Sequence, residues 1–208
     1  LPEAGGGDPR AGRRSPGADG QMLTPDDEFG SPGMRLLDAQ EDFQPHAAFA
    51  FGVQATARNS PTVLAAAFFN TQFWDTRALP TFRDLAGNVV ILEYGSLESQ
   101  AVEPILSAVE MGHTGRTWDQ VASKLERVRP LDLALEVPPA LDDFISGVQG
   151  YGPLFRQAFG TSAITRERIA MALASYERTL IPDRSPFDLG TMTRRQELGF
   201  EIFQERGL

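Results

Sequence analysis

After residue 58 the apolar positions fall at helical spacing between turn residues; before it they follow no period. The clearest stripe is Ile169, Ala172, Leu173, Tyr176 and Leu180, opened by Thr165 and stopped by Pro182, which predicts an amphipathic helix. Thr117 with Gln120 forms a capping box; Trp118, Val121, Leu125 and Val128 then follow at helical spacing until Pro130. Thr193 with Gln196 forms a second box, and Leu198, Ile202 and Phe203 offer the last helix a face for burial before Gly207. Ala140 to Ile145 and Pro153 to Phe159, the latter closed by Gly160, read as shorter helices. Ser60 or Thr62 is placed to start another, through Leu64, Ala65, Ala66, Ala67 and Phe68. One stretch breaks the helical rhythm. Val89-Val90-Ile91-Leu92 is a β-branched run bounded by Pro80, Gly87, Asn88 and Gly95, which predicts a short strand or hairpin.

Residues 1–33 are rich in Gly, Pro, Arg and Asp, as in Gly5-Gly6-Gly7-Asp8-Pro9 and Arg13-Arg14-Ser15-Pro16-Gly17. They read as a flexible or extended N-terminal arm ahead of a domain spanning 34–208. No internal repeat is present. The start at Leu1, without a signal-like apolar segment, reads as a mature or trimmed product.

Composition narrows the classes of function. Hydrophobic residues make up 41% of the 208 and charged residues 23%, an ordinary soluble mixture. The formal net charge of −9 repels phosphate backbones and anionic lipid, so nucleic acid is not an expected partner and a protein with a basic face is. There is no cysteine, which removes disulfides, zinc thiolates, iron–sulfur clusters and thiol nucleophiles. No apolar run is long enough to span a membrane. The phosphate-loop, dinucleotide and nucleophile-elbow signatures are missing, and two histidines cannot make a three-histidine metal site.

Candidate chemistry rests on a few side chains. Pro104 should bend or end a helix, letting the chain turn back so that Gln100 and Glu110 approach one cavity. A carboxylate in an apolar cavity can shuttle a proton, and an amide beside it can hold a water or peroxide. The same two residues also fit a helix surface and a helix cap. Trp74, in Phe73-Trp74-Asp75-Thr76-Arg77, suits a core position, or an electron relay. Asn59, before Ser60-Pro61, is either a turn former or an oxygen ligand for calcium. His46 and His113 are the only histidines.

The blocks Arg58-Asn59-Ser60-Pro61-Thr62, Phe73-Trp74-Asp75, Ser96-Leu97-Glu98-Ser99-Gln100-Ala101, Pro104-Ile105 and Glu110-Met111-Gly112 occur in order. They are followed by Ile169 to Leu180 and Ser185-Pro186-Phe187-Asp188. In that order they resemble the bacterial di-haem cytochrome c peroxidase and MauG family, over residues 58–206. The resemblance implies a mainly α, c-type cytochrome-like helical domain, corresponding to the first domain of that family, with the second haem domain absent. It implies Glu110 as the acid–base group for O–O cleavage, Gln100 as a distal hydrogen-bond donor, Trp74 as a relay between haems and Asn59 as a ligand of calcium. The family uses haem c and calcium. Its first Cys-x-x-Cys-His falls at 42–46, where this chain has Asp42 and Pro45 in place of the cysteines and keeps His46.

Two further departures are Thr76, where the family has Gly, and an insertion over 79–95. With the thioether anchors gone, no cofactor is expected on this chain. The expected role is a haem-free structural or interaction subunit of a larger redox or membrane-associated assembly, periplasmic or otherwise extracytoplasmic. The alternative is a domain that reduces hydrogen peroxide with electrons from a small redox protein. Its haem would be held noncovalently by His46 or supplied by a part outside this chain.

Overall fold

The computed structural model describes residues 60–132, 134 and 136–207 and, ahead of them, residues 13–15, 19, 21, 23–30, 32–38, 40, 42–46, 49–55 and 58. Among these, six helices carry the fold: α1 (Ser96–Leu106), α2 (Trp118–Arg127), α3 (Pro139–Ile145), α4 (Gly152–Phe159), α5 (Arg166–Glu177) and α6 (Arg194–Arg206). Among the described residues the strands are short and pair as antiparallel ribbons: β1 (Arg13–Ser15) with β2 (Glu28–Gly30), β3 (Pro32–Arg35) with β4 (Val53–Ala55), and β5 (Phe82–Arg83) with β6 (Val89–Ile91). The mainly α, cytochrome-like class implied by the resemblance is what the chain adopts. Within the arm, the described residues form β1 and β2, strand pairing that no alternation in the sequence announces.

Caps set the helix boundaries. The Thr117 and Thr193 boxes close as expected, each hydroxyl accepting from the N3 amide while the N3 Gln side chain accepts from the cap amide. Thr165 caps α5, and Gly160 takes the left-handed conformation (φ 80°) that ends α4.

Among the described residues, burial falls in three clusters around the α1–α5 pair. Phe82, Val102 and Ala170 form one; Ala66, Leu97 and Ala174 a second; Val121, Phe155, Ile164 and Ile169 a third. Ala170 and Ala174 are fully buried, which lets α5 lie close on α1. Trp118 packs against both the Phe82 and the Phe155 clusters and joins them.

Three expectations need correction. The helix expected through Leu64–Phe68 is only a 3₁₀ turn, Ala66–Phe68; Ala65 is left-handed at φ 60° and donates its amide to the Leu180 carbonyl at 3.0 Å, which breaks any helical ladder there. In α5 the inward face is Ile169, Ala170 and Ala174, while Leu173 and Tyr176 are exposed at 41% and 65%. In α6 the expected inward residues Leu198, Ile202 and Phe203 are exposed, and no residue of the helix is buried.

Candidate functional site

Glu98 lies in the first turn of α1, where a carboxylate complements the helix dipole, yet its side chain is buried. Arg178, one residue past α5, meets it as a fork: Nη1 donates to Oε1 at 2.7 Å and Nη2 to Oε2 at 2.8 Å. A paired, doubly hydrogen-bonded carboxylate can be kept out of water; an unpaired one cannot. The Glu98 carboxylate, by accepting these bonds, holds the Arg178 guanidinium above its ordinary range, against the effect of burial. The same Nη2 donates to the Tyr94 carbonyl at 3.0 Å, and Tyr94 stands in the left-handed region at φ 63°. The ion pair therefore clasps a strained turn as well as two helices. Glu177 completes the cluster. Burial pushes its carboxyl above the usual glutamate range, Arg178 opposes that and Glu98 adds to it, and its Oε2 is buried with no hydrogen-bond partner.

Beside the clasp lies a groove of about 760 Å³, lined by Phe68 and Phe69 from the 3₁₀ turn, by Leu92, Glu93 and Tyr94 ahead of α1, and by Arg178. Its two edges are tied together. The Ser96 hydroxyl donates to the Phe69 carbonyl at 2.9 Å, and Gln72 Nε2 donates to the Ala66 carbonyl at 2.8 Å and to Ser96 Oγ at 3.3 Å. Nothing in the residue pattern singled out Arg178 or Tyr94.

Of the residues expected from the sequence, Gln100 lies on α1 and Glu110 just after it. Gln100 is on the helix and half-buried. Pro104 does not break it at once; α1 runs on to Leu106, and the chain then folds back, the Met111 amide donating to the Pro104 carbonyl at 3.1 Å. That turn places half-buried Glu110 next to the last turn of α1. Arg77, three residues after Trp74, donates from Nε to Glu103 Oε2 on the same helix at 2.8 Å. The core position expected for Trp74 is overturned: the indole is 91% exposed. Its turn is strained at both ends, with Phe73 at φ 64° and Thr76 at φ 58°, and the Arg77 guanidinium stacks 3.6 Å from the Phe73 ring centroid. Asn59 lies outside the described residues. His113, after the Glu110 turn, is buried at 4% exposure with Nδ1 3.0 Å from the Thr114 carbonyl and Nε2 without a partner.

The donor set for haem can be tested directly. Thioether attachment needs two thiols, and the chain has none. The segment where the resemblance would put them is organised by Asp38, whose carboxylate accepts from the amides of Gln40 at 2.9 Å and Asp42 at 3.0 Å and from the Gln44 side chain at 2.7 Å. The Asp42 amide above all, with the Gln40 amide and the Gln44 side chain, holds the Asp38 carboxyl below its usual range against the effect of burial. His46 Nδ1 accepts from the Phe49 amide at 3.3 Å. These residues do not fit an attached haem.

This geometry is that of a helical cytochrome-like domain whose first-helix carboxylate is clasped by an arginine. Over residues 38–197 the chain matches the family described as di-haem cytochrome c peroxidase, and it belongs to that family. It is 32% identical over 158 residues to the methylamine utilization protein MauG of Methylophilus methylotrophus, covering 73% of this chain and 36% of that one. It is 30% identical over 154 residues to the cytochrome c peroxidase Ccp of Escherichia coli K12, covering 71% and 24%. It is 29% identical over 164 residues to the cytochrome c551 peroxidase of Pseudomonas aeruginosa, covering 75% and 36%. The chain thus spans about a third or less of the length of these relatives. No helix among the described residues is long and apolar enough to cross a membrane.

Proposed function

We propose that this chain is a haem-free structural or interaction module of di-haem peroxidase descent, working within a larger assembly outside the cytoplasm. The observation that carries the reading is the 42–46 segment, which falls inside the family match and reads Asp-Phe-Gln-Pro-His. Asp42 and Pro45 stand where the thiols would, and the Asp38 carboxylate secures the turn in their place. Further support comes from the number of large apolar side chains left on the surface, Trp74, Phe69 and Phe203 among them, which suits a chain that docks on others. A small redox protein remains the partner on the peroxidase reading, with Gln100, Glu110 and Trp74 in the roles the resemblance implies.

The test is an absorption spectrum with a pyridine haemochrome assay, on protein made in a host that matures c-type cytochromes. The expected result is no Soret band. A band at one haem per chain overturns the proposal and returns the chain to peroxide reduction, with Glu110 as its acid–base group.

A further inference from the structure

The groove beside the Glu98–Arg178 clasp presents aromatic faces and an unsatisfied negative charge together. Phe68, Phe69, Leu92 and Tyr94 line it and remain 70%, 63%, 68% and 76% exposed. Exposure of that order, on side chains sharing one concavity, is unusual for a surface that stays in water. Tyr94 reaches its position by taking the left-handed conformation, which is strained for a non-glycine residue. The fold sustains that strain through the Arg178 bond to the Tyr94 carbonyl, and fixes the opposite edge through Ser96 and Gln72. The walls are therefore set before anything enters.

The charge in the groove selects what enters. Arg178 is neutralised by Glu98 in a two-point contact. Glu93 sits on the rim, exposed and with no ion-pair partner among the described residues. The one charge left to be met is thus a carboxylate next to aromatic faces, inside a chain whose net charge is −9. Aromatic rings attract cations through their negative faces, and a neighbouring carboxylate adds to that attraction.

We propose that this groove receives a segment of a partner protein that presents a lysine or arginine side chain flanked by aliphatic residues. The cationic head meets Glu93 and the aromatic faces, and the aliphatic neighbours cover Leu92 and Phe69. The hairpin β5–β6, immediately before Leu92, stiffens that edge: Thr81 Oγ1 donates to the Leu92 carbonyl at 2.8 Å, and the Gly95 amide donates to the Pro80 carbonyl at 2.7 Å. The groove is a docking point for the interaction role proposed above and rests on that reading. The two fail separately, since haem content decides the first and the titration below decides the second.

The experiment is an amide NMR titration of the full chain with acetyl-Leu-Lys-Leu-amide, with the same peptide carrying norleucine for lysine, and with butylammonium. The expected result is shifts confined to residues 67–70 and 92–97, with the lysine peptide binding more tightly than either control. Glu93→Gln and Tyr94→Ala should each weaken it about threefold, and the double variant about tenfold. Both side chains are exposed, so folding is spared; unchanged amide spectra elsewhere verify it. Equal binding of the norleucine peptide, butylammonium binding as tightly as the lysine peptide, shifts centred elsewhere, or indifference to Glu93→Gln overturns the proposal.

Discussion

Thr76, where the resembled motif has glycine, stands in the left-handed region at φ 58°, a conformation that suits glycine. A β-branched residue in the left-handed region crowds its own carbonyl; glycine does not, though it gives back part of the gain as lost chain entropy on folding. Thr76→Gly should therefore raise stability by up to about 1 kcal/mol in urea unfolding, and a loss would mean that the Thr side chain makes a compensating contact. Glu177 has an electrostatic version of the same tension. Burial lifts its carboxyl, Arg178 pulls it back and Glu98 lifts it again. A carboxyl raised on folding binds its proton more tightly in the native chain. Stability is then fully present below the unfolded value and falls as pH climbs from there through the native one. Glu177→Gln should raise the melting temperature at neutral pH, and the gain should vanish in acid below the ordinary glutamate range. A gain that persists in acid would show that charge is not the cause.

At the scale of elements, what could be read along the chain was whatever depends on near neighbours. Caps are local, so the Thr117 and Thr193 boxes and the Gly160 stop were legible, and so was the hairpin, announced by β-branched residues between turn formers. Facing was not legible, because it depends on what comes to lie opposite. The periodic stripe in α5 points to Leu173 and Tyr176. The helix instead turns Ala170 and Ala174 inward, since α1 approaches too closely for larger side chains. The short helix expected after Ser60 fails for another non-local reason, the Ala65 amide being taken by Leu180, far along the chain. The candidate site divides the same way. Gln100 and Glu110 were singled out by the family resemblance together with the turn expected after Pro104, whereas the Glu98–Arg178 clasp joins residues eighty positions apart and has no local signature.

Across the whole molecule, stability is concentrated. The three buried clusters all involve α1, α5 or the elements directly on them, and none reaches α6. That last helix has a sound cap and an apolar side, Leu198, Ile202 and Phe203, but its described packing within the chain is a ring contact between Phe200 and Phe187 at 5.2 Å. An isolated helix of this length is marginal in water, because nucleation costs more than a few capped turns return. Local opening follows local packing, so amide exchange should be slowest in α1 and α5 and markedly faster throughout α6. The measurement is hydrogen–deuterium exchange of the full chain at two protein concentrations. Fast exchange in α6 at both means that its apolar side is uncovered in this chain alone. Protection that rises with concentration would mean that a second copy covers it. Protection matching α1 at both would mean that α6 packs within its own chain, contrary to the arrangement described here.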